Sequence, residues 1–507
     1  MGDLMDAVSN SYKKREDIIS WALVLIGAIV YISLVFNENV WLDEAFSASL
    51  VRTDMAGVIE RSMADTLPPL YNIILKISTD IFGYSVPVMK LTSVVPMIIT
   101  MIVSATVVRK AHGFKTSALF TIALFTMPNL LFFGVEIRMY SLGFMFATIA
   151  GIYSYEVINN YSIKNLIIFS VVSALAGYSH HFAFVSVGFV FLFMLIYYFV
   201  LDRANIKRWF YCLLITVVAY FPCLLVTLKQ FKSVSGYFSM PDVTLPVFIK
   251  YMRYPYTVGN TPLSIALLIS VFALVIYTVI KVYNGIKEIK AKTPAVTDIT
   301  DSGSESINSC KLDYSAYMSD IYALSMFLVY YGVLVFGTIV SKLMTANIFV
   351  DRYLFFAHGM IWLFFAIEAG KFKKYYYVVV TLLVLSGVAG YVNEYHIEYD
   401  TNPDAIISYL NDNVQDGDVL YSYEDNEEMK FCLPFYDERL ESYDELIDAI
   451  NAAKSSDATL YVSVIDYKEF DPAEIENRGF NIEFVDTFSF DRYKFDLYKA
   501  TMTTVED

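Results

Sequence analysis

Eleven apolar runs dominate this chain, near residues 18–36, 86–108, 116–134, 139–158, 164–179, 182–200, 208–228, 261–281, 320–341, 351–369 and 375–392. A helix rises 1.5 Å per residue, so roughly 20 apolar residues cross a hydrocarbon layer of about 30 Å. With 507 residues, 56% of them hydrophobic and only 18% charged, the chain is too apolar for a soluble domain of this length. The fold class is therefore mainly α, a polytopic membrane helix bundle of about eleven spans. Lys13, Lys14 and Arg15 precede the first run in the charge order of a signal peptide. That run is long for a signal sequence and no small-residue cleavage pattern follows, so it reads as a retained span.

Loop charge gives the orientation, because short cytoplasmic loops keep Lys and Arg. The basic clusters are Lys13 to Arg15; Arg109, Lys110 and Lys115; Arg203, Lys207 and Arg208; Lys281, Lys287, Lys290 and Lys292; and Lys371, Lys373 and Lys374. Counting spans puts every cluster on one side, which makes residues 1–17 a cytoplasmic N-terminus and places the C-terminal tail outside a cell membrane. The segment from Pro68 to Phe82 is short and carries Lys76 and Asp80. It is expected as a helix lying in the outer interface within the loop 37–85, with Thr53 to Ala64 as a second such helix. The loop 283–319 is polar and turn-rich, the pattern of a disordered cytoplasmic insertion.

The net charge of −15 belongs to the tail, where residues 398–507 hold 28 Asp and Glu against 8 Lys and Arg. It says nothing of a nucleic-acid partner for the rest, and none is expected. Residues 397–507 alternate helix patterns (403–414, 443–453) with strand patterns (418–423, 459–466, 480–488, 493–498), so a small extracytoplasmic α/β domain follows the membrane domain of 18–396. Cys212, Cys223, Cys310 and Cys432 share no metal-binding or disulfide spacing.

Once topology is assigned, the unusual polar residues collect at the outer ends of the spans. Asp43 and Glu44 follow the first span in WLDEAFS, and Asp65 precedes Pro68-Pro69. Glu136, Arg138 and Tyr140 lie in GVEIRMYSL, His180 and His181 in YSHHFAF, and Lys342, Asp351, Arg352 and Tyr353 flank the tenth span. Ionisable groups at such positions are costly unless paired or watered. Asp43-Glu44 is either a favourable negative start to a helix or a carboxylate general base at the mouth of a cavity. Glu136 and Arg138, two residues apart, do not face each other on a helix. Each needs its own partner, in an ion-pair network or, for Arg138, at a phosphate. Adjacent histidines diverge, so hydrogen bonding suits His180 and His181 better than a shared metal. Arg352 follows a helix-starting Asp351 and could equally hold a lipid phosphate.

The order WLDEAFS, LPPLYNIILKISTDIFGYS, GVEIRMYSLGF, GYSHHFAF and a late DRYLFFA resembles the multi-spanning GT-C glycosyltransferases. The family 39 type is the nearest likeness, including protein O-mannosyltransferases and transferases of aminoarabinose to lipid A. The likeness covers roughly residues 18–392, with the tail similar to a variable outer domain. It implies a sugar donor linked to polyprenyl phosphate and inversion at the sugar by attack of an acceptor hydroxyl on a protein, glycan or lipid. Asp43 would be the base and Glu44 its neighbour in donor or metal contact. Arg138, Tyr140, Glu136, His180, His181, Lys342, Arg352 and Tyr353 would serve the donor phosphate and substrate, and Asp65, Pro68 and Tyr71 the acceptor side. Leu67 stands where members carry His before Pro-Pro-Leu. The resemblance requires no cofactor; a divalent cation, with Glu44 and His181 as candidate ligands, is an alternative source of charge stabilisation.

Two other classes compete. A transporter or flippase also uses intramembrane charges, but predicts them near mid-span together with repeated halves, and no repeat is evident. A scaffold whose tail binds an outer partner leaves Asp43, Arg138 and Arg352 without a reason.

Overall fold

The computed structural model describes residues 2–37, 39–234, 242–292, 314–344, 347–399, 404–423, 442–443, 445–465, 468–490 and 493–503. The helices begin α1 (Gly2–Ile32), α2 (Leu42–Leu50), α3 (Met55–Ala64), α4 (Leu70–Phe82), α5 (Val86–Val103) and α6 (Arg109–His112). Next come α7 (Phe114–Thr126), α8 (Pro128–Val135), α9 (Tyr140–Asn159), α10 (Ile163–Ser179) and α11 (His181–Val200). The bundle is completed by α12 (Lys207–Val234), α13 (Leu245–Arg253), α14 (Thr261–Lys292), α15 (Met318–Leu343), α16 (His358–Gly370) and α17 (Tyr376–Tyr399).

Each of the eleven apolar runs falls on helix. Among the described residues, 8 helices are long and apolar enough to cross a membrane, or 9 if the bent pair α7 and α8 is one span. The other two runs are α10, which has 17 residues, and the second half of α1. The 63° bend between α7 and α8 has a local cause. Pro128 has no N–H to give the Leu124 carbonyl four residues back. Tyr31, buried on α1, supplies the missing donor: its hydroxyl lies 2.7 Å from the Leu124 oxygen and 3.1 Å from that of Leu130.

The two expected interface helices are α3 and α4, and Gly83 at φ 94° lets the chain turn from α4 into α5. The helix start read at Asp43-Glu44 is that of α2, whereas no sequence pattern marked α13. Helix α2 lies in the stretch that carries Asp43 and Glu44, and α13 lies before α14. The insertion expected over 283–319 is narrower, because α14 continues to Lys292 and a 3-10 turn starts at Ser315. Residues 293–313 lie outside the described residues.

Buried ion pairs stitch the spans together. On α5, Lys90 is 1% exposed, and its ammonium donates to Asn37 and to Glu398 of α17, each at 2.7 Å. A buried charge is tolerable only when paired and hydrogen-bonded in this way. Buried Asp320 accepts from Lys281 at 2.8 Å and from Lys371 at 2.7 Å. Those lysines come from two of the basic clusters assigned to one side, and a third joins the first where Arg109 meets Glu16 at 3.5 Å.

The tail holds α18 (Asp404–Asn413), α19 (Leu446–Ser456) and α20 (Ala473–Glu476) with strands β1 (Val419–Ser422), β2 (Ser442–Tyr443), β3 (Leu460–Ile465), β4 (Phe480–Phe490) and β5 (Tyr493–Met502). The sheet order is β2-β1-β3-β5-β4, with β2, β1 and β3 parallel and β5 antiparallel to both β3 and β4. Side chains alternate across a strand. Tyr461 and Ile465 of β3 join the core shared with the membrane helices, while Leu460, Val462 and Val464 face a separate core with α19. The domain is thus α/β as expected, although α17 runs to Tyr399, past the expected boundary at 396.

Candidate functional site

The adjacent acids Asp43 and Glu44 sit in the first turn of α2 and point to different surroundings. Glu44 is 4% exposed. One of its carboxylate oxygens accepts the Trp41 N–H at 3.2 Å, closing the start of α2, and the other accepts the Ile137 N–H at 2.7 Å. It therefore ties α2 to the turn between α8 and α9. Burial pushes its carboxyl up to about 7, Lys90 opposes that rise, and Glu398 adds to it. Asp43, by contrast, lines a polar cavity of about 250 Å³ with Asp65, Arg138, Tyr140, Arg352 and Tyr353.

Within this cavity the guanidinium of Arg352 lies 3.1 Å from the Asp43 carboxylate. Arg138 donates to the Asp43 backbone carbonyl at 3.1 Å and to the Ser47 hydroxyl at 2.9 Å. Burial opposes the charge on Arg138, but the acidic groups of Asp43, Tyr140 and Asp65 outweigh it and raise its pKa. Two guanidinium groups and two carboxylates thus converge on one small polar space. An anion entering there meets fixed donors in a partly dry setting, where electrostatic contacts count for more than in water.

A second chamber of about 350 Å³ adjoins the first and shares Thr66, Leu67 and Tyr353 with it. Its walls are largely apolar, with Phe182, Phe184, Val185, Tyr220, Phe336, Val340 and Ile348. His180 and His181 lie here and not around Asp43. The His180 ring stacks on Phe356 at 4.4 Å and is 2% exposed. Its Nδ1 accepts the Phe182 N–H at 3.0 Å, so the neutral ring carries its proton on Nε2, a buried donor without a partner among the described residues. Burial holds His180 well below the usual histidine range, with His181, Arg138 and Arg352 adding to the shift. A Cβ on Gly143 would come 2.6 Å from the Phe356 ring, so that position must stay small for the stack to form.

The other expected site residues have different surroundings. His181 Nε2 lies 3.2 Å from the Thr66 carbonyl, which can only accept, so that nitrogen is protonated and cannot ligate a metal. Glu44 lines neither chamber and His181 lines the apolar one, so the two candidate ligands do not face a common space. Among the described residues no three His, Cys, Asp or Glu side chains converge as metal ligands. Tyr71 bonds Ser93 at 2.8 Å and holds α4 against α5, and Pro68 is buried in the turn before α4. The Glu136 side chain is buried outside the cavity, and its carbonyl accepts the Arg138 N–H at 2.6 Å. Lys342 is exposed and lines neither chamber.

Gln230 was not anticipated. Its amide donates to the carbonyls of Ser62 at 3.3 Å and Leu67 at 2.9 Å, fixing the loop shared by both chambers. The one signal in the sequence was a polar side chain just past an apolar run. Thr66, Leu67, Phe46 and Met139 likewise line the cavity without a chemical signature.

Glu44 gives a pH prediction. An acid whose folded pKa is raised binds its proton more tightly when folded, so stability falls as pH climbs from the ordinary value of 4.5 to about 7. The melting temperature of the wild type in detergent should fall across that window relative to Glu44→Gln. Parallel curves for the two proteins would show that Glu44 does not titrate there.

No family model matches this sequence. No curated protein matches it either. Solved structures do: ArnT from Cupriavidus metallidurans in the apo state superposes with a TM-score of 0.59 at 9% identity, covering 94% of this chain and 97% of that one. ArnT from the same organism bound to undecaprenyl phosphate gives a TM-score of 0.60 at 10% identity, covering 95% and 98%. At such identities the shared feature is the path of the backbone, which spans nearly the whole of both chains, tail included. This chain therefore has the fold of ArnT, a bundle of membrane helices followed by a small C-terminal α/β domain.

Proposed function

We propose that the protein is a membrane glycosyltransferase that moves a sugar from a polyprenyl-phosphate donor to an acceptor hydroxyl, on the membrane face opposite the basic clusters. The observation that carries this reading is the adjacency of the two chambers. A polar cavity with a carboxylate and two guanidinium groups opens beside an apolar one, the division that a sugar phosphate on an isoprenoid chain requires. The likeness to ArnT bound to undecaprenyl phosphate supports the donor class.

In this reading the first isoprene units lie along Phe182, Phe184 and Phe336, and the phosphate lies near Arg138 and Arg352. Asp43 accepts the proton of the acceptor hydroxyl as its oxygen forms a bond to the anomeric carbon. The bond from that carbon to the phosphate oxygen breaks, its electron pair leaves with the phosphate, and the anomeric configuration inverts. Arg352 orients the Asp43 carboxylate and, with Arg138, meets the charge that grows on the leaving phosphate. His180 offers its Nε2 proton as a neutral donor to the same group. Asp65, which lines the same cavity, contacts the acceptor. Glu44 takes no part in the chemistry; it holds α2 in place.

The test is transfer of labelled sugar by purified, reconstituted protein from a panel of polyprenyl-phosphate sugars to a panel of hydroxyl acceptors. Product formation that depends on the polyprenyl donor is the expected result. Failure to consume any donor, paired with movement of lipid or solute across the bilayer, would favour a transporter.

A further inference from the structure

A third cavity, of about 460 Å³, lies at the same end of the bundle between α13 and the start of α14. Lys250 and Arg253 line it beside the hydroxyls of Thr257 and Thr261, and Ile265 and Leu268 form its apolar wall along α14. The backbone that carries the two cations is anchored from below. Tyr330 donates to the Tyr251 carbonyl at 2.7 Å and Asn129 to the Tyr254 carbonyl at 2.7 Å. The cations are thus placed by the bundle and do not hang on a loose loop. Helix α14 leaves most of its surface uncovered, with Ile265 49% and Ile269 63% exposed, a strip suited to acyl chains.

Arg253 is exposed and forms no ion pair among the described residues. Lys250, two-thirds exposed, meets Asp351 at 3.2 Å, and Asp351 accepts the Arg352 N–H at 3.0 Å. Asp351 itself lines the cavity, which therefore stands one residue away from the arginine that holds Asp43. Two cations against one carboxylate, the hydroxyls of Thr257, Thr261 and Ser264, and an apolar strip leave a net positive cavity at the membrane boundary, which matches a phosphate joined to hydrocarbon chains.

We propose that this cavity binds the phosphate headgroup of an anionic membrane lipid, with its chains along α14. The site is separate from the sugar-transfer chambers, and the proposal stands whether or not transfer is observed. A cation facing an anionic lipid is worth a factor of about five, and with Asp351 offsetting Lys250 the net positive charge gives a preference of about fivefold. In detergent, native mass spectrometry of the purified full chain titrated with phosphatidylglycerol or phosphatidylcholine should show the phosphatidylglycerol preference near that size. In Lys250→Ala/Arg253→Ala it should fall to about twofold or less, while Lys76→Ala on α4 should keep it. Arg253→Gln removes no ion pair and should by itself lower the preference about fivefold, which keeps the test valid if the double variant unfolds. Equal binding of the two lipids, or an unchanged preference in Arg253→Gln, overturns the proposal. So does complete displacement of phosphatidylglycerol by millimolar inorganic phosphate, which would mark a site for a free anion.

Discussion

Asp43→Asn is expected to lower sugar transfer by about 10²–10⁴-fold, the usual contribution of a positioned general base. The amide keeps the shape of the carboxylate and can still accept from Arg352, so the cavity should persist, but it cannot take the acceptor proton. The loss should therefore appear in kcat, with little change in the apparent affinity for the donor. The neighbouring Glu44→Gln is the matched control. Its side chain is turned to the Trp41 and Ile137 amides, so its effect should be on stability and not on the chemical step. A folded Asp43→Asn protein that retains full turnover would remove Asp43 from the mechanism.

Arg352→Ala is the second large effect, expected at about 10²–10³-fold in turnover, since it removes a preplaced donor from the position where negative charge grows. The same substitution frees the Asp43 carboxylate from the 3.1 Å contact that orients it. The two residues form one unit, so Asp43→Asn/Arg352→Ala should be far less damaging than the product of the single losses. Arg352→Lys should recover little, because an ammonium cannot reproduce the planar fork of a guanidinium. Turnover of Arg352→Ala within threefold of wild type would show that the charge is met elsewhere, with Arg138 the first candidate.

The reason for ranking Asp43 above Glu44 lies in helix geometry. Successive side chains on a helix point about 100° apart, so an acidic pair cannot face one cavity together. One of the two had to turn inward, and the backbone N–H groups at the α2 start and the α8–α9 turn determine which. Sequence reading grouped both as catalytic because adjacency in the chain hides this divergence. For His180 and His181 the divergence is read from adjacency itself, and the two face different partners, an aromatic stack and a loop carbonyl.

Much of the architecture was legible. The apolar runs fell on helices because span length is set by the bilayer and not by partners. The helices α3 and α4 and the alternating helices and strands of the tail followed from local sequence pattern. Of the eleven runs, 8 are single helices long and apolar enough to cross a membrane among the described residues, one is the pair bent at Pro128, one is the 17-residue α10 and one is the second half of α1. The gathering of Asp43, Asp65, Arg138, Tyr140, Arg352 and Tyr353 into one cavity was legible only as a shared side.

By itself, then, the sequence determined the class of protein, the spans and the end of the bundle where the unexplained charges collect, because hydrophobic length and charge are local properties of the chain. Tertiary structure decided which charges meet. Asp43 and Arg352 are 309 residues apart, and Lys90 and Glu398 are 308 apart. No periodicity links such positions; only the packing of distant helices against one another brings them to 3 Å. The same packing set an apolar chamber beside a polar one, and that juxtaposition is what gives Asp43 a proposed task.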